Sequence, residues 1–390
     1  MVNGKCKMVN CKIVYMGTPD FAVEPLRRLV EGRYNVVCVV TMPDKPVGRH
    51  HDVLQQSPVK QYAVGQGIPV LQPERLKDES FLDALRSYDP DLGVVVAFRM
   101  LPEVVWAMPR LGTFNLHAAL LPQYRGAAPI NWAIINGDKE TGITTFFLDH
   151  DIDTGQVIYR QAVPIHEEDD VEAVHDRLMM LGADLVLKTV DDVERGVVKP
   201  IPQDQLTVEG PLRPAPKIFK ETCEIDWTKT AKQVYDFVRG LSPYPAAWTE
   251  LLKPDGQVET VKIFQTAKVV KLHQLPAGTV QTDGKTYLHV AVEGGFISIL
   301  SLQLPGKKRL KVDELLRGYK MTNDFKFITN KLSSSYDNNL YNSVNKAMLN
   351  KYSNGGNKVE EKNMIEKQNI INKNQFEIMK IGRASCRERV

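Results

Sequence analysis

The stretch "FNLHAALLPQYRGAAP", residues 114–129, combines a short apolar strand pattern with two polar side chains at its end. Asn115 and His117 lie two positions apart, so their side chains project to the same face of a strand. Pro122 and Gly126 follow in a loop where they restrict or permit particular backbone conformations. The stretch therefore predicts a strand that presents an amide and an imidazole beside an ordered loop.

The first half of the chain alternates continuous apolar runs with amphipathic segments. Strands are expected within residues 12–16, 35–41, 68–72, 91–98, 112–117 and 143–148. Helices are expected within residues 21–32, 57–67, 79–87, 101–108 and 170–195. This alternation predicts an α/β fold with a doubly wound, Rossmann-like parallel sheet. Ligands of such sheets bind at the carboxyl ends of the strands, where the amide and imidazole are placed.

The second half has a different pattern. A Pro-rich segment at 200–217 reads as a linker, and short strand-like runs at hairpin spacing follow a helix at 229–240. These runs predict a small C-terminal β-barrel of OB-like type. The expected organisation is an N-terminal extension (1–10), a catalytic domain (11–199), a linker (200–216), a β-barrel domain (217–326) and a disordered tail (327–390).

The tail differs in composition from the rest of the chain. Residues 331–380 contain eleven Asn and eight Lys with no helical or strand period, which predicts disorder. The last ten residues, "IGRASCRERV", resemble an in-frame translation of a sequencing adapter. We therefore expect that the tail is artefactual and that deletion of residues 331–390 leaves activity intact. Met8 opens a second "MVN", so either Met1 or Met8 could be the start.

Composition narrows the class of protein. The 390 residues are 43% hydrophobic, enough for a sizeable core, and no apolar run reaches the length of a membrane span. Five cysteines without C-x-x-C spacing indicate a reducing compartment, and we expect a cytoplasmic protein. The adjacent His50 and His51 have no third ligand nearby, so no metal site is predicted.

The charge distribution is uneven along the chain. Residues 1–206 carry 21 Lys and Arg against 28 Asp and Glu, whereas residues 207–326 carry 18 against 13. A basic second module could bind a polyanionic partner. Ordinary variation of surface charge would give the same counts.

The polar residues at the strand ends suggest acid–base chemistry. The amide of Asn115 can donate to a developing oxyanion, and an imidazole with an ordinary pKa of about 6.5 can exchange a proton near neutral pH. A second cluster, "DHDIDTG" at 149–155, places carboxylates after the strand at 143–148, and an Asp there could orient the imidazole. The alternative is structural: a hydrogen-bonded Asn–His pair and an ordinary Asp-Gly turn. The turn "GTPDFA" at 17–22 lacks both the dinucleotide and the P-loop glycine patterns, which argues against NAD and ATP.

Several motifs together carry a family resemblance. They are "GTPDFA" (17–22), "MPDKPVGR" (42–49), "SPVK" (57–60), "NLHAALLPQYRGAAPINWAIINGDKETGIT" (115–144), "DIDTG" (151–155), "KIFKETCEIDW" (217–227), "LSPYPAAW" (241–248) and "LPGKKRL" (304–310). In this order they resemble the methionyl-tRNA formyltransferase family over residues 11–326. The resemblance implies transfer of a formyl group from 10-formyltetrahydrofolate to the α-amine of methionine on initiator tRNA, for translation initiation. It implies catalytic roles for Asn115, His117 and Asp153.

The resemblance also implies binding residues. The folate run corresponds to Ala119, Leu120, Leu121 and Pro122, with Ala119 where the family has Ser, and Phe98 corresponds to a folate-pocket aromatic residue. Phe98 and Arg99 replace the family's usual Tyr-Gly pair. For tRNA, the implied contacts are Arg49 in the first module and a basic strip, Lys307, Lys308, Arg309 and Lys311, in the second. No membrane or obligate protein partner is expected.

Two alternatives remain open from the sequence, and a third is argued against. A formyltransferase acting on amino-sugar nucleotides shares the Asn-x-His run and the Asp. A glycinamide ribonucleotide transformylase would need a Gly/Ser phosphate loop after the first strand, which "GTPD" does not supply. An inactive RNA-binding relative is compatible with Ala119. An assay with 10-formyltetrahydrofolate and charged initiator tRNA separates these possibilities.

Overall fold

A computed structural model of the chain describes residues 11–47, 53–208 and 210–329. The predicted N-terminal extension and most of the predicted tail lie outside these ranges. The described elements form two seven-stranded sheets, one in each half of the chain, and a separate two-stranded hairpin. No helix within the described ranges is long and apolar enough to cross a membrane.

The first sheet carries the predicted strand–helix alternation. In the described chain its seven strands are β1 (Ile13–Gly17), β2 (Val36–Val40), β5 (Val70–Leu71), β6 (Leu92–Val96), β7 (Thr113–His117), β8 (Glu140–Phe147) and β9 (Val157–Pro164). Two short strands, β3 (Lys45–Val47) and β4 (Val53–Gln55), pair separately as an antiparallel hairpin. The strand order is β5-β2-β1-β6-β7-β8-β9. The chain thus reverses direction across the sheet between β1 and β6, the position where such sheets open a ligand crevice.

The sheet is parallel only across its first five strands. β8 runs antiparallel to β7, and β9 runs antiparallel to β8. The β8–β9 connection, residues 148–156, is too short for the crossover that a parallel pair needs. The Rossmann-like prediction is confirmed for the fold, and the antiparallel edge with strand β9 is a feature that the sequence reasoning missed.

Helices cover both faces of this sheet. They are α1 (Val23–Glu31), α2 (Pro58–Gly65), α3 (Glu79–Ser87), α4 (Glu103–Trp106), α5 (Pro129–Ile135) and α6 (Val171–Glu194). On β1, Ile13 and Tyr15 belong to the core shared with α1, α2, α5 and α6, whereas Val14 and Met16 belong to the core shared with α3 and α4. Alternate side chains of one strand therefore enter two different cores, which explains why the strands read as uninterrupted apolar runs.

Local sequence signals fix where several helices begin. Ser57 caps α2 by accepting a hydrogen bond from the backbone of Lys60, and Asp170 caps α6 in the same way through Ala173.

In α6, the buried carboxylate of Asp192 accepts hydrogen bonds from Lys188 Nζ and Tyr159 Oη, each at 2.6 Å. The hydrogen bond from the Lys188 ammonium holds the pKa of this carboxyl well below its ordinary value.

The second sheet forms a small, nearly closed antiparallel barrel. In the described chain its strands are β10 (Ala247–Leu252), β11 (Val258–Val269), β12 (Val280–Thr282), β13 (Leu288–Val292), β14 (Gly295–Gln303), β15 (Leu310–Lys311) and β16 (Lys326–Ile328). Two helices accompany it, α7 (Ala231–Arg239) and α8 (Val312–Gly318). A bridge between Thr279 and Lys326, with Phe327 N donating to Gly278 O at 2.9 Å, joins the two ends of the sheet. This confirms the predicted barrel-like fold.

Strand β16 corrects one predicted boundary. The tail was predicted to begin at residue 327, yet Phe327 is 1% exposed and packs in the barrel core beside Trp227. The sequence reasoning missed this strand because it has only three residues, fewer than an alternating pattern needs to be recognised. The barrel therefore continues to residue 329, and the rest of the tail lies outside the described residues.

Candidate active site

Strand β7 places Asn115 and His117 on one face of the sheet. Its alternate residues, Phe114 and Leu116, enter the core with α6, so the amide and imidazole project to the opposite side. His117 is 6% exposed, and its Nε2 lies 2.8 Å from the backbone oxygen of Tyr124. A carbonyl oxygen only accepts hydrogen bonds, so Nε2 carries the hydrogen. The other nitrogen, Nδ1, is left to take up or release a proton.

Asp153 lies opposite that nitrogen. Its Oδ2 is 3.8 Å from His117 Nδ1 and accepts a hydrogen bond from the backbone N–H of Gly126 at 2.9 Å. A distance of 3.8 Å is too long for a direct hydrogen bond but short enough for a strong electrostatic interaction between two groups that are mostly buried. The structure thus brings together the predicted His117 and Asp153, and Asn115 lies two residues before His117 on the same strand.

The turn that carries Asp153 has a backbone conformation that few residue types adopt. Asp153 has φ of +55°, a left-handed conformation that Asp tolerates better than most residues. Gly155 follows, and a Cβ at that position would overlap the carbonyl oxygen of Phe147. The "DIDTG" sequence therefore fits a tight connection between β8 and β9 that directs the carboxylate toward His117.

The loop after β7 is held by a network that sequence reasoning missed. The phenol of Tyr124 donates to Asp138 at 2.5 Å, and Arg213 Nη1 lies 2.6 Å from the same carboxylate. Burial, followed by the hydrogen bond to Asp138, raises the pKa of Tyr124 to about 12. Because Tyr124 also supplies the carbonyl that fixes His117, this network holds the imidazole in one orientation.

The predicted linker lies against the same loops. Tyr124 N donates to Arg213 O at 2.7 Å, and Ala215 N donates to Arg125 O at 2.8 Å. The side chain of Gln203 is 5% exposed and contacts the Asp153 turn. No local sequence signal could have identified these contacts, because they join residues that lie 50 or more positions apart in the chain.

The predicted folate run forms a buried wall beside the site. Ala119, Leu121 and Pro122 are buried, and Leu120 is partly exposed. The hydroxyl of Thr144 on β8 donates to the carbonyl of Ala119 at 2.6 Å and accepts from Leu121 N at 3.1 Å. The methyl group of Ala119 is itself in the core, so this side chain has no exposed surface to offer a ligand. Folate contact by this run stays a prediction.

Phe98 and Arg99 follow the carboxyl end of β6. Phe98 is half-buried against the core of α3 and α4. The guanidinium of Arg99 donates to the backbone oxygens of Pro73 and Glu74, and burial lowers its pKa. Arg99 therefore ties this loop to the segment after β5, a role that the sequence reasoning left unknown. The predicted contact between Phe98 and folate is likewise still a prediction.

The basic strip lies in the barrel half. Lys307 and Lys308 are exposed, whereas the guanidinium of Arg309 donates to Ser301 Oγ at 2.9 Å and lies 4.5 Å from the ring centre of Phe264. The predicted tRNA contact Arg49 lies outside the described residues. Within the described ranges, no group of three or more His, Cys, Asp or Glu side chains could hold a metal ion.

Comparison with protein families agrees with this architecture. The "Formyl transferase" family profile matches residues 11–190, and "Formyl transferase, C-terminal domain" matches residues 217–320. The methionyl-tRNA formyltransferase of Bacteroides thetaiotaomicron is 67% identical over 320 residues, which cover 82% of this chain and 99% of that protein. The enzyme of the same name from Parabacteroides distasonis is 62% identical, with 82% and 99% covered.

Solved structures show the same fold at low identity. HypX from Aquifex aeolicus in complex with tetrahydrofolic acid superposes with a TM-score of 0.53 at 19% identity, covering 78% of this chain and 46% of that one. WlaRD, a sugar 3N-formyl transferase, superposes with a TM-score of 0.53 at 17% identity, covering 77% of this chain and all of that one. At these identities the likeness concerns the fold alone.

Proposed function

The chain belongs to the methionyl-tRNA formyltransferase family, and from this membership we propose that it formylates initiator methionyl-tRNA with 10-formyltetrahydrofolate as co-substrate. The observation that carries the proposal is the juxtaposition of His117 Nδ1 and Asp153 Oδ2 at 3.8 Å, at the carboxyl end of the strand that also carries Asn115. The partners in this reaction are the charged tRNA and the reduced folate. Formylation precedes translation initiation, so the cytoplasm is the proposed location.

The chemistry follows from the site geometry. The methionine amine attacks the formyl carbon, and the carbonyl oxygen becomes an oxyanion in a tetrahedral intermediate. The bond from that carbon to the folate nitrogen then breaks, and the nitrogen leaves with a proton. An amide donor such as Asn115 stabilises the oxyanion, and one such donor typically contributes about 2.7–4 kcal/mol.

In this scheme His117 transfers the proton, and Asp153 stabilises the protonated imidazole. The carbonyl of Tyr124 occupies Nε2, so Nδ1 is the nitrogen that takes the proton from the attacking amine and returns one to the departing nitrogen. While Nδ1 carries the proton, the imidazolium faces the Asp153 carboxylate and can also donate to the oxyanion. Asp153 is already oriented by Gly126 N–H, so its charge is available before the substrates bind.

The choice of tRNA as acceptor rests on the 62–67% identity with methionyl-tRNA formyltransferases. The barrel supports it with Lys307 and Lys308, which are exposed and free of any carboxylate partner within the described ion pairs. Phosphate contacts by such lysines add salt-dependent affinity. The rival acceptor is an amino-sugar nucleotide, since the fold is shared with a sugar formyltransferase.

The test is a direct assay of the full chain. Purified protein is incubated with 10-formyltetrahydrofolate and, in parallel, with initiator methionyl-tRNA or an amino-sugar nucleotide. The expected product is N-formylmethionyl-tRNA alone. Formylation of the sugar only would favour the rival function, and no product with either acceptor would favour the inactive RNA-binding relative.

A further inference from the structure

Gln203 links the two loops that form the candidate catalytic pair. It lies at the start of a short 3₁₀ turn, Gln203–Gln205, in the segment predicted to be a linker. Its Nε2 donates to the backbone oxygens of Asp153 at 2.8 Å and Gly155 at 2.9 Å. Its Oε1 accepts from Arg125 Nε at 3.0 Å and Nη2 at 2.7 Å. The amide thus uses both donor hydrogens and both acceptor positions, in a buried setting.

The partners of Gln203 belong to two different loops of the site. Arg125 belongs to the loop after β7, next to Gly126, whose N–H binds the Asp153 carboxylate. Asp153 belongs to the turn between β8 and β9, and its left-handed φ of +55° needs support from its surroundings. Gln203 holds this turn by the carbonyls on each side of the Asp153–Gly155 bend and connects it to the other loop. Gln203 therefore joins the Asp153 turn to the loop that follows His117, although it belongs to neither.

We propose that Gln203 is a positioning residue for the formyl transfer, acting through Asp153. This inference rests on the proposed function for its kinetic consequence, but its structural consequence can be measured independently. Without the two donors of Gln203, the Asp153 turn is free to move away from the imidazole. A displacement of about 1 Å at a reacting group can reduce turnover about 100-fold.

Three substitutions separate the contribution of the two Gln203 donors from that of its acceptor and from that of the surrounding 3₁₀ turn. Gln203→Glu keeps the volume and an acceptor for Arg125 but loses both donors to the backbone carbonyls. Gln203→Leu removes every hydrogen bond of the side chain. Gln205→Leu is the matched control, because Gln205 is exposed in the same 3₁₀ turn. We expect both Gln203 variants to lose kcat by about 10- to 100-fold with little change in KM for either substrate, and the control to match the wild type.

A double-mutant cycle tests whether Gln203 acts through Asp153. In an Asp153→Asn background, Gln203→Glu should cause little further loss, because the charge that it positions is already gone. Full additivity of the two losses would overturn the proposal. So would a Gln203→Glu variant with wild-type kcat, or one whose loss lies in KM alone. If Gln203→Leu fails to fold, Gln203→Glu still carries the comparison.

Hydrogen exchange provides a readout that does not require activity. The Gly126 amide is protected by the Asp153 carboxylate, so release of the Asp153 turn should accelerate its exchange by about 10-fold or more in Gln203→Glu and not in Gln205→Leu. Unchanged protection would overturn the inference. Accelerated exchange in a chain that formylates no tRNA would support the positioning of Asp153 by Gln203 while refuting the proposed function, so the two failures are distinguishable.

Discussion

Substitution of Asp153 by Asn isolates the contribution of one negative charge at the site. The side chain keeps its shape, and its oxygen can still accept the hydrogen bond from Gly126 N–H. The imidazole also keeps its tautomer, because Nε2 is bound to the carbonyl of Tyr124 and not to the carboxylate. The substitution therefore removes the interaction with a protonated His117 and leaves the surrounding geometry in place.

The size of the effect follows from the distance and the burial. At 3.8 Å, Coulomb's law with an effective dielectric constant of about 20 gives about 4 kcal/mol for a full pair of charges. The two side chains are 6% and 14% exposed, so screening by solvent is limited. Because the imidazole is fully charged only along part of the reaction, this is an upper bound, equivalent to about three decades in rate. We expect a loss of one to three decades, or about 1.4–4 kcal/mol.

The assay is single-turnover formylation with both substrates saturating, alongside separate measurements of tRNA and folate affinity. Asp151→Asn serves as the matched control, because Asp151 is exposed in the same turn and its side chain makes no described contact with His117. The expected result is a slow chemical step with nearly unchanged affinities. A rate for Asp153→Asn within about threefold of the wild type would refute the electrostatic role assigned to this carboxylate.

Three further predictions address the base, the tRNA surface and acid stability. His117→Ala should lower kcat by about two or more decades with little loss of tRNA affinity, and an unchanged rate would remove this residue from the mechanism. Replacing Lys307 and Lys308 together by Ala should weaken tRNA binding and reduce the slope of log affinity against log salt by about two, whereas Lys199→Ala should not; equal slopes would contradict phosphate contact. The pKa of Asp192 is lowered in the folded state, so its stabilising contribution is present above the unfolded-state pKa and is lost as pH falls below it. Asp192→Asn should therefore lower the melting temperature at pH 7, with the difference shrinking below about pH 4, and a difference that is constant with pH would contradict this reasoning.

The sequence predicts the parts of this molecule that depend on local pattern. Strand β7 shows why: Phe114 and Leu116 need the core, so Asn115 and His117 must occupy the other face whatever the rest of the chain does. The order of strands and helices in the first half follows from the same alternation. The cap residue Ser57 and the following Pro58 also mark the start of α2 by local chemistry.

Features that depend on distant contacts were not predictable in this way. Tyr124 looks like an ordinary loop residue, and only the fold shows that its carbonyl binds His117 and that Arg213 holds its phenol. Gln203 lies in a Pro-rich segment whose composition indicates a linker. Strand β9 was not predicted because most of its residues from Arg160 onward are exposed, so the strand lacks a clear apolar run. The predicted roles of Phe98, of the folate run 119–122 and of the basic strip remain predictions about ligand contact.

The way in which the connecting segment is anchored has a consequence for module exchange. A chimaera that grafts a foreign barrel onto this catalytic half would ordinarily be cut where the Pro-rich stretch begins, near residue 200. Such a junction would place residues of the foreign protein at the positions of Gln203 and Arg213. The loop after β7 and the Asp153 turn would then lose their hydrogen bonds to this segment. A junction placed after Pro216 would keep both anchors with their native half, so the functional border of the first module lies at the C-terminal end of the segment that composition assigns to neither module.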